Sequence, residues 1–209
     1  MSALRAMANA ANDGMWERVL GIETTGKDCE PTTYRVLFRL FRAIDFKPDD
    51  VLVDYGCGRG RVMCIAARMR IAGIRGVEIN PDSAASAKRN LEALRGRKVD
   101  NWSVYSGSAA DFDCGGGSVF YFYNPFGGAL FTSVIARVRA SVAKSGNAAR
   151  IVYINPKCRA ELDTADWLLP AEVVHTDNAG RVAAIMYRSR PAAQWGATRN
   201  GNAPVAALV

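Results

Sequence analysis

Histidine and paired cysteines are scarce in this sequence, and their scarcity excludes several kinds of site. The chain holds one histidine, His175, and five widely spaced cysteines with no Cys-x-x-Cys pair: Cys29, Cys57, Cys64, Cys114 and Cys158. A zinc site needs clustered Cys and His ligands, and a disulfide framework normally uses an even number of cysteines. We therefore expect no metal and reduced thiols, which fit a cytoplasmic location.

Long apolar runs are also missing. No segment approaches the ~18 apolar residues that a membrane-spanning helix requires, and residues 1–12 lack the apolar core of a secretory signal. We expect a cytoplasmic protein without a membrane partner. With 209 residues, 49% of them hydrophobic and 22% charged, the composition is that of a globular domain.

The net charge of +7 would suit a nucleic-acid partner. However, many of the basic residues fall late in two predicted helices. Basic side chains in a last helical turn complement the helix dipole without any partner. The charge alone therefore does not favour nucleic acid.

The most informative stretch is residues 51–62, with the sequence VLVDYGCGRGRV. Apolar strand formers and Asp54 are followed by Gly56, Gly58 and Gly60, which predicts a buried strand that ends in a tight turn and starts a helix. Such a turn visits positive φ, and without side chains it lets a ligand approach the backbone. In open α/β sheets, turns at this position bind nucleotides.

The spacing of the glycines narrows the kind of nucleotide site. The dinucleotide fingerprint Gly-x-Gly-x-x-Gly would need glycine where the chain has Arg61, and the phosphate loop Gly-x-x-x-x-Gly-Lys-Ser/Thr is absent. The pattern Asp-x-Gly-x-Gly-x-Gly instead resembles motif I of the class I S-adenosylmethionine (SAM) methyltransferases. The resemblance implies SAM as cofactor, with its amino acid end beside Asp54, Cys57 and the glycine backbone. A plain strand-to-helix connection would also use glycine for curvature.

A second acid ends the next predicted strand, residues 73–80. Glu78 follows the glycine turn by about 20 residues, the spacing at which nucleoside-binding α/β folds place a carboxylate that accepts both ribose hydroxyls. Glu78 and its neighbour Ile79 are therefore predicted cofactor contacts. An exposed acid at a strand end is the alternative.

The loop after the third predicted strand, residues 102–106, is the candidate adenine contact. In the family this loop often reads Gly-Asp-Ala, with the acid receiving the adenine amino group. Here the chain reads Gly107-Ser108-Ala109, with Asp111 two residues further on. The resemblance implies adenine contacts from Ser108 or the Ala109 amide, with Asp111 as a possible source of the missing carboxylate.

The fourth predicted strand, residues 118–123, ends in Asn124-Pro125-Phe126. Asparagine offers a carbonyl to an amine N–H, proline leaves a backbone carbonyl without a competing donor, and phenylalanine offers a stacking face. The three residues resemble the Asn/Asp-Pro-Pro-aromatic signature of amino-group methyltransferases, although only one proline is present. The resemblance implies that they orient a nitrogen acceptor, while an ordinary turn would use the same residues.

The remaining pattern predicts the architecture. Leu37, Leu40, Phe41 and Ile44 form the apolar stripe of a helix before the first strand. Glu30, Thr32, Thr33 and Tyr34 at its start are candidates for a lid, and an N-cap by Thr32 or Thr33 is the alternative. Five strands separated by helices and a C-terminal hairpin, residues 171–187, predict an α/β, Rossmann-like, doubly wound and mostly parallel seven-stranded sheet.

We expect a leader and possible lid at residues 1–29, with residues 1–14 loose, a methyltransferase domain at 30–189 and a flexible tail at 190–209. The end of strand four and the small size also loosely resemble microbial Dot1-like protein lysine methyltransferases. The implied function is SAM-dependent methyl transfer to a nitrogen of a protein or small molecule. An RNA or DNA methyltransferase and a non-catalytic SAM-binding protein remain alternatives, whereas Arg61 disfavours a dehydrogenase. The acceptor and the oligomeric state are not determined by the sequence.

Overall fold

The computed structural model describes residues 3–25, 31–177 and 179–195. Within them the strands are β1 Val51–Tyr55, β2 Gly73–Glu78, β3 Trp102–Ser106, β4 Val119–Tyr123, β5 Arg150–Ile154, β6 Glu172–Thr176 and β7 Val182–Arg188. The helices are α1 Ala3–Leu20, α2 Tyr34–Ile44, α3 Arg61–Ala66, α4 Pro81–Ala93, α5 Gly128–Ser145 and α6 Arg159–Asp163, followed by a 3-10 turn at Ala192–Gln194.

The strands form one sheet in the order β3-β2-β1-β4-β5-β7-β6. The pairs that join β3, β2, β1, β4 and β5 are parallel, and β7 pairs antiparallel with both β5 and β6. The predicted seven-stranded sheet with a C-terminal antiparallel hairpin is confirmed. Because β1 and β4 are neighbours, the glycine turn and the Asn124 segment end at the same edge of the sheet.

Helix α2 packs as its pattern predicts, since Leu37, Leu40, Phe41 and Ile44 are all buried. The predicted side-chain cap is not formed: Thr33 is the N-cap residue, and its side chain makes no capping hydrogen bond. The Thr32 hydroxyl instead shares a 2.8 Å hydrogen bond with the Tyr121 hydroxyl in the core. The Thr32 side chain therefore faces the sheet and does not cap the start of α2.

The N-terminal prediction is wrong for most of its length. Residues 1–14 were expected to be loose, yet α1 runs from Ala3 to Leu20. Its own sequence carries only a weak apolar pattern, so it is held by contacts to the rest of the chain. Trp16 packs edge-on against Phe38 of α2, with ring centroids 5.0 Å apart.

The C-terminal prediction is wrong at its start. Trp195, expected in a flexible tail, packs against Trp167 with ring centroids 5.7 Å apart, and its indole N–H donates to the Arg190 carbonyl at 2.9 Å. The rest of the predicted tail, residues 196–209, lies outside the described residues. Helix α6 was not predicted, because five residues are too few to show a helical period.

Several expected absences can be compared with the described ranges. No helix there is long and apolar enough to cross a bilayer. No cluster of three or more His, Cys, Asp or Glu in that part of the chain is arranged to hold a metal ion. Four cysteines fall in the described ranges and are free thiols: Cys57, Cys64, Cys114 and Cys158.

Candidate functional site

A cleft of about 660 Å³ runs along the carboxyl ends of the parallel strands. The loops after β1, β2, β3, β4 and β5 all contribute to its walls. It brings together nine of the residues predicted from the sequence: Gly56, Gly58, Glu78, Ile79, Ser108, Ala109, Asn124, Pro125 and Phe126. Residues separated by about 70 positions in the sequence thus share one site because parallel strands present their carboxyl ends at one edge.

The glycine turn is fixed to β2 by its backbone. The amides of Gly56 and Cys57 donate to the Val77 carbonyl at 2.8 and 3.0 Å. Gly56, Gly58 and Gly60 have φ of +74°, +52° and +83°, in the left-handed region that favours glycine. Gly60 also lets α4 approach, since a Cβ there would lie 3.1 Å from the Ala87 Cβ. Gly60 therefore shapes the turn and packs on α4, while Gly56 and Gly58 face the cleft.

Glu78 lies at the end of β2, facing the glycine turn. Its Oε2 accepts from the Gly58 amide and its Oε1 from the Asn80 amide, both at 2.9 Å. Each carboxylate oxygen keeps a further lone pair for a ligand. The two amides hold the side chain in the cleft, where ribose hydroxyls are predicted to bind.

Asp54 lies almost completely buried behind the turn. Its Oδ2 has no hydrogen-bond partner among the described residues. Burial, with the charge of Glu78 as a second cause, raises the pKa of Asp54 to about 8. A cavity of about 60 Å³ lies against Asp54 and Cys57, and Gly56 and Gly58 line both this cavity and the main cleft. A buried carboxylate without a partner is costly unless a cationic or hydrogen-bonding ligand completes it.

Asn124, directly after β4, has φ of +40°, an unusual value for a residue with a side chain. The Tyr153 hydroxyl donates to its Oδ1 at 3.3 Å and accepts from the Cys158 amide at 3.2 Å. Burial raises the pKa of Tyr153 to about 12, so its phenol stays protonated. This contact orients the Asn124 amide and leaves Oδ1 one more lone pair.

The other two members of the motif also line the cleft. Phe126 contacts Tyr55 and Phe122 edge-on, with centroids 6.3 Å apart in both cases. Its ring is therefore fixed on one side by the core, while the residue is half-buried beside the cleft. Pro125 packs against Gly56 and joins the two halves of the site.

Some residues considered from the sequence are not brought to the cleft. Asp111 is exposed and is not among the lining residues, and only its amide contacts the loop, donating to the Ser108 carbonyl at 3.1 Å. Phe112 is buried in the core against Tyr55.

His175 is on the edge strand β6, away from the site, as expected. Among the proposed lid residues, Glu30 lies outside the described residues and Tyr34 is fully buried.

Two residues of the cleft were missed by the sequence analysis. Asn155 and Lys157, after β5, line it together with the loops after the other parallel strands. Asn155 has φ of +48° and thus repeats the conformation of Asn124 on the neighbouring strand. The repeated Asn-Pro after two predicted strands was the available signal. A third missed feature is Arg61, which is buried under the N-terminal segment.

Comparison with known proteins supports the fold and gives limited information on function. No family model matches the chain. A protein-lysine N-methyltransferase of Saccharolobus islandicus is 35% identical over 63 residues, which are 30% of this chain and 39% of that protein. The match thus spans well under half the length of the curated relative.

Many solved structures are similar over most of the chain, and two of them illustrate the shared fold. A precorrin-8w decarboxylase from Methanobacterium thermoautotrophicum has a TM-score of 0.58 at 17% identity, covering 81% of this chain and 96% of that one. A TehB-like SAM-dependent methyltransferase from Corynebacterium glutamicum has a TM-score of 0.52 at 13% identity, covering 89% and 99%. The chain has the Rossmann-like fold of the class I methyltransferases.

Proposed function

We propose that this protein is a SAM-dependent methyltransferase that methylates a nitrogen of a protein or small molecule. One observation carries the proposal: the glycine turn, Glu78 and the Asn124–Pro125–Phe126 motif line a single cleft. Direct methyl transfer requires the acceptor nitrogen to lie next to the methyl group of the cofactor, and a shared cleft can hold the two side by side. The SAM-dependent methyltransferase of the same fold is consistent with this cofactor.

The residues present fit SAM chemically. The unpartnered Asp54 Oδ2 suits an amino group, and the Glu78 carboxylate suits ribose hydroxyls. Ile79, with 73% of its surface exposed beside the cleft, offers an apolar contact for a purine, near Ser108 and Ala109. When bound, SAM supplies a methyl group that is already activated as a sulfonium.

The chain would then contribute mainly orientation and exclusion of water. Asn124 Oδ1, held by Tyr153, would accept an N–H of the acceptor and direct the nitrogen lone pair toward the methyl group. The Pro125 carbonyl would accept a second N–H, and Phe126 would cover the acceptor from water. An amide and a carbonyl suit a neutral amine, which can donate two N–H groups and still present its lone pair.

A lysine side chain is the first protein acceptor to test, because the curated relative is named as a protein-lysine methyltransferase. The decisive experiment measures the binding of S-adenosylhomocysteine (SAH) and SAM by calorimetry. Binding of NAD is measured in parallel, because a dehydrogenase would bind NAD instead. Transfer of labelled methyl from SAM is then followed on lysine peptides, small amines and RNA. Absence of SAM and SAH binding would refute the proposal. Methylated RNA alone, or SAM binding without product, would replace it by one of the alternatives.

A further inference from the structure

Arg61 is the first residue of α3, directly after the glycine turn, and only 3% of it is exposed. Its guanidinium lies over the Tyr34 ring, 4.5 Å from the centroid. Among the described residues, it donates hydrogen bonds to polar groups of residues 13–25 and 31–32, here called the N-terminal segment: Thr24 Oγ1 at 2.8 Å, Thr25 Oγ1 at 2.8 Å, Thr32 O at 3.2 Å, Asp13 Oδ2 at 2.5 Å and Glu17 Oε1 at 3.1 Å. One side chain thus ties three parts of that segment to the turn.

The two acids that pair with Arg61 are one helical turn apart on α1. Asp13 and Glu17 therefore face the same direction. Both are largely removed from solvent, and a buried carboxylate that loses its cation is strongly destabilising. Burial alone would raise the pKa of Glu17, but hydrogen bonds from Thr24 and the charge of Arg61 outweigh it and lower the pKa. Arg61 is therefore one of the contacts that fix the position of α1, beside the Tyr34 amide, which donates to Asp13 Oδ1 at 3.2 Å.

Glu17 also binds the connection that follows α1. Its Oε1 accepts from the Thr24 amide at 2.9 Å and from the Thr25 hydroxyl at 3.1 Å. The chain at residues 24–25 is thereby folded back onto α1 and Arg61. Glu17 Oε1, which pairs with Arg61, therefore also holds residues 24–25 in place.

That segment is one wall of the cavity beside Asp54. Thr24, Pro31 and Thr32, together with Arg61 itself, line the cavity along with Asp54 and the glycine turn. Thr32 is further linked to Tyr121, which pairs with Asp54 in the register of β1 and β4. The cavity is complete only when the segment held by Arg61 is in place.

We propose that Arg61 is a positioning residue for cofactor binding: it holds α1 and residues 24–25 and 31–32 against the glycine turn, so that docking of α1 and SAM binding are coupled. The inference rests on the proposed function, which places the amino acid end of SAM at Asp54. A ligand that binds only the docked arrangement shifts the equilibrium toward it, and loss of docking weakens the ligand by the same factor.

A second buried ion pair provides a matched control. Arg150 pairs with Asp50 and donates to the carbonyls of Ile44 and Asp45 at 2.9 and 3.0 Å. This pair lies at the amino edge of the sheet, where β5 begins, away from the cleft. Arg150→Gln should cost stability for the same electrostatic reason as Arg61→Gln without affecting the cofactor site.

The experiment compares wild type, Arg61→Gln, Arg61→Lys and Arg150→Gln in the full chain. Hydrogen exchange is measured with and without SAH, and calorimetry gives SAH affinity. We expect SAH to slow exchange in α1 of the wild type. Arg61→Gln should speed exchange there and weaken SAH by at least about tenfold, Arg61→Lys should restore part of the affinity, and Arg150→Gln should lower the melting temperature with SAH affinity unchanged.

Two results would count against the inference in different ways. Equal SAH affinity in wild type and Arg61→Gln, with α1 exchanging faster in the variant, would overturn the coupling alone. A wild type that binds no SAH would overturn the proposed function itself. If Arg61→Gln does not fold, Asp13→Asn weakens the same contact while Glu17 still pairs with Arg61. Faster exchange in α1 with weaker SAH binding would support the coupling, and faster exchange with unchanged SAH affinity would overturn it.

Discussion

Gly56 and Pro125 are so close that a Cβ atom on Gly56 would lie 2.6 Å from the Cβ of Pro125. The two residues follow β1 and β4, which are adjacent and parallel. Gly56 is thus required for two reasons, its φ of +74° and the lack of space for a side chain. The contact holds the proposed cofactor turn against the proposed acceptor motif.

Gly56→Ala should therefore destabilise more than an ordinary glycine substitution. Gly116→Ala is the matched control, since its φ is +77° and nothing lies within 4 Å of the added Cβ. The positive φ should cost each variant about 1–2 kcal/mol, and the clash should cost Gly56→Ala about 1–3 kcal/mol more. Chemical denaturation measures both. Adding Pro125→Gly should recover part of the loss, and strictly additive effects would contradict a direct clash.

Glu78→Ala should weaken SAM binding by about 1–2 kcal/mol, because charged hydrogen bonds to the ribose are lost. The variant also removes the acceptor of the Gly58 and Asn80 amides, so faster hydrogen exchange at these two positions is expected. Glu92→Ala, an exposed change on α4, serves as control. Calorimetry that gives the same SAM affinity for Glu78→Ala and wild type would remove the ribose assignment.

Substitution of Asn124 should lower turnover more than SAM affinity, because its amide is proposed to contact the acceptor. Asn124→Ala and Asn124→Gly both remove the side-chain amide. Only the alanine variant should also lose about 1 kcal/mol of folding stability, because alanine disfavours the positive φ at this position. Both variants should lose about tenfold or more in kcat, since one oriented hydrogen bond contributes roughly 1–2 kcal/mol. Equal losses in kcat and SAM affinity would make Asn124 structural.

The buried Asp54 predicts a pH dependence of stability. Its pKa is about 8 in the folded chain, mainly through burial, and about 4 in an unfolded one. Between these values the folded state binds more protons, so the free energy of unfolding should fall as pH rises from about 4 to about 8, and level off above. Asp54→Asn should remove this part of the slope. Denaturation at several pH values gives the comparison.

The same group predicts how cofactor affinity depends on pH. A cationic amino group binds the ionised carboxylate, so SAM should bind more tightly as pH rises toward about 8, by at most about tenfold per pH unit. Asp54→Asn should bind weakly with little pH dependence over the same interval. Calorimetry in two buffers of different ionisation enthalpy should show proton release on binding to the wild type. No proton release would place the amino group elsewhere.

Local patterns in the sequence were sufficient for the sheet and much of the cleft. The glycines at 56, 58 and 60 show a turn because positive φ is a local backbone property, and Leu37, Leu40, Phe41 and Ile44 show a helix because burial repeats with its period. The number of strands and the C-terminal hairpin followed from the succession of strand and helix patterns along the chain. Each of these features depends on residues that are close together in the sequence.

Other features depend on contacts between distant segments. Helix α1 has little periodicity of its own and is held by contacts to distant residues, among them Arg61, which pairs with acids of α1 more than 40 positions away. The sequence offered Asp111 as well as Ser108 as an adenine contact, yet the Asp111 side chain is exposed and does not line the cleft.

The sequence by itself thus determined the sheet, the glycine turn and the carboxylate that follows it, because backbone conformation and hydrophobic period are encoded locally. The tertiary structure alone decided that Gly56 contacts Pro125, that Asp54 Oδ2 has no hydrogen-bond partner among the described residues, and that Thr24, Pro31 and Thr32, from the connection after α1, line the cavity beside it. Those facts arise from packing and from buried charge, which depend on residues far apart in the chain.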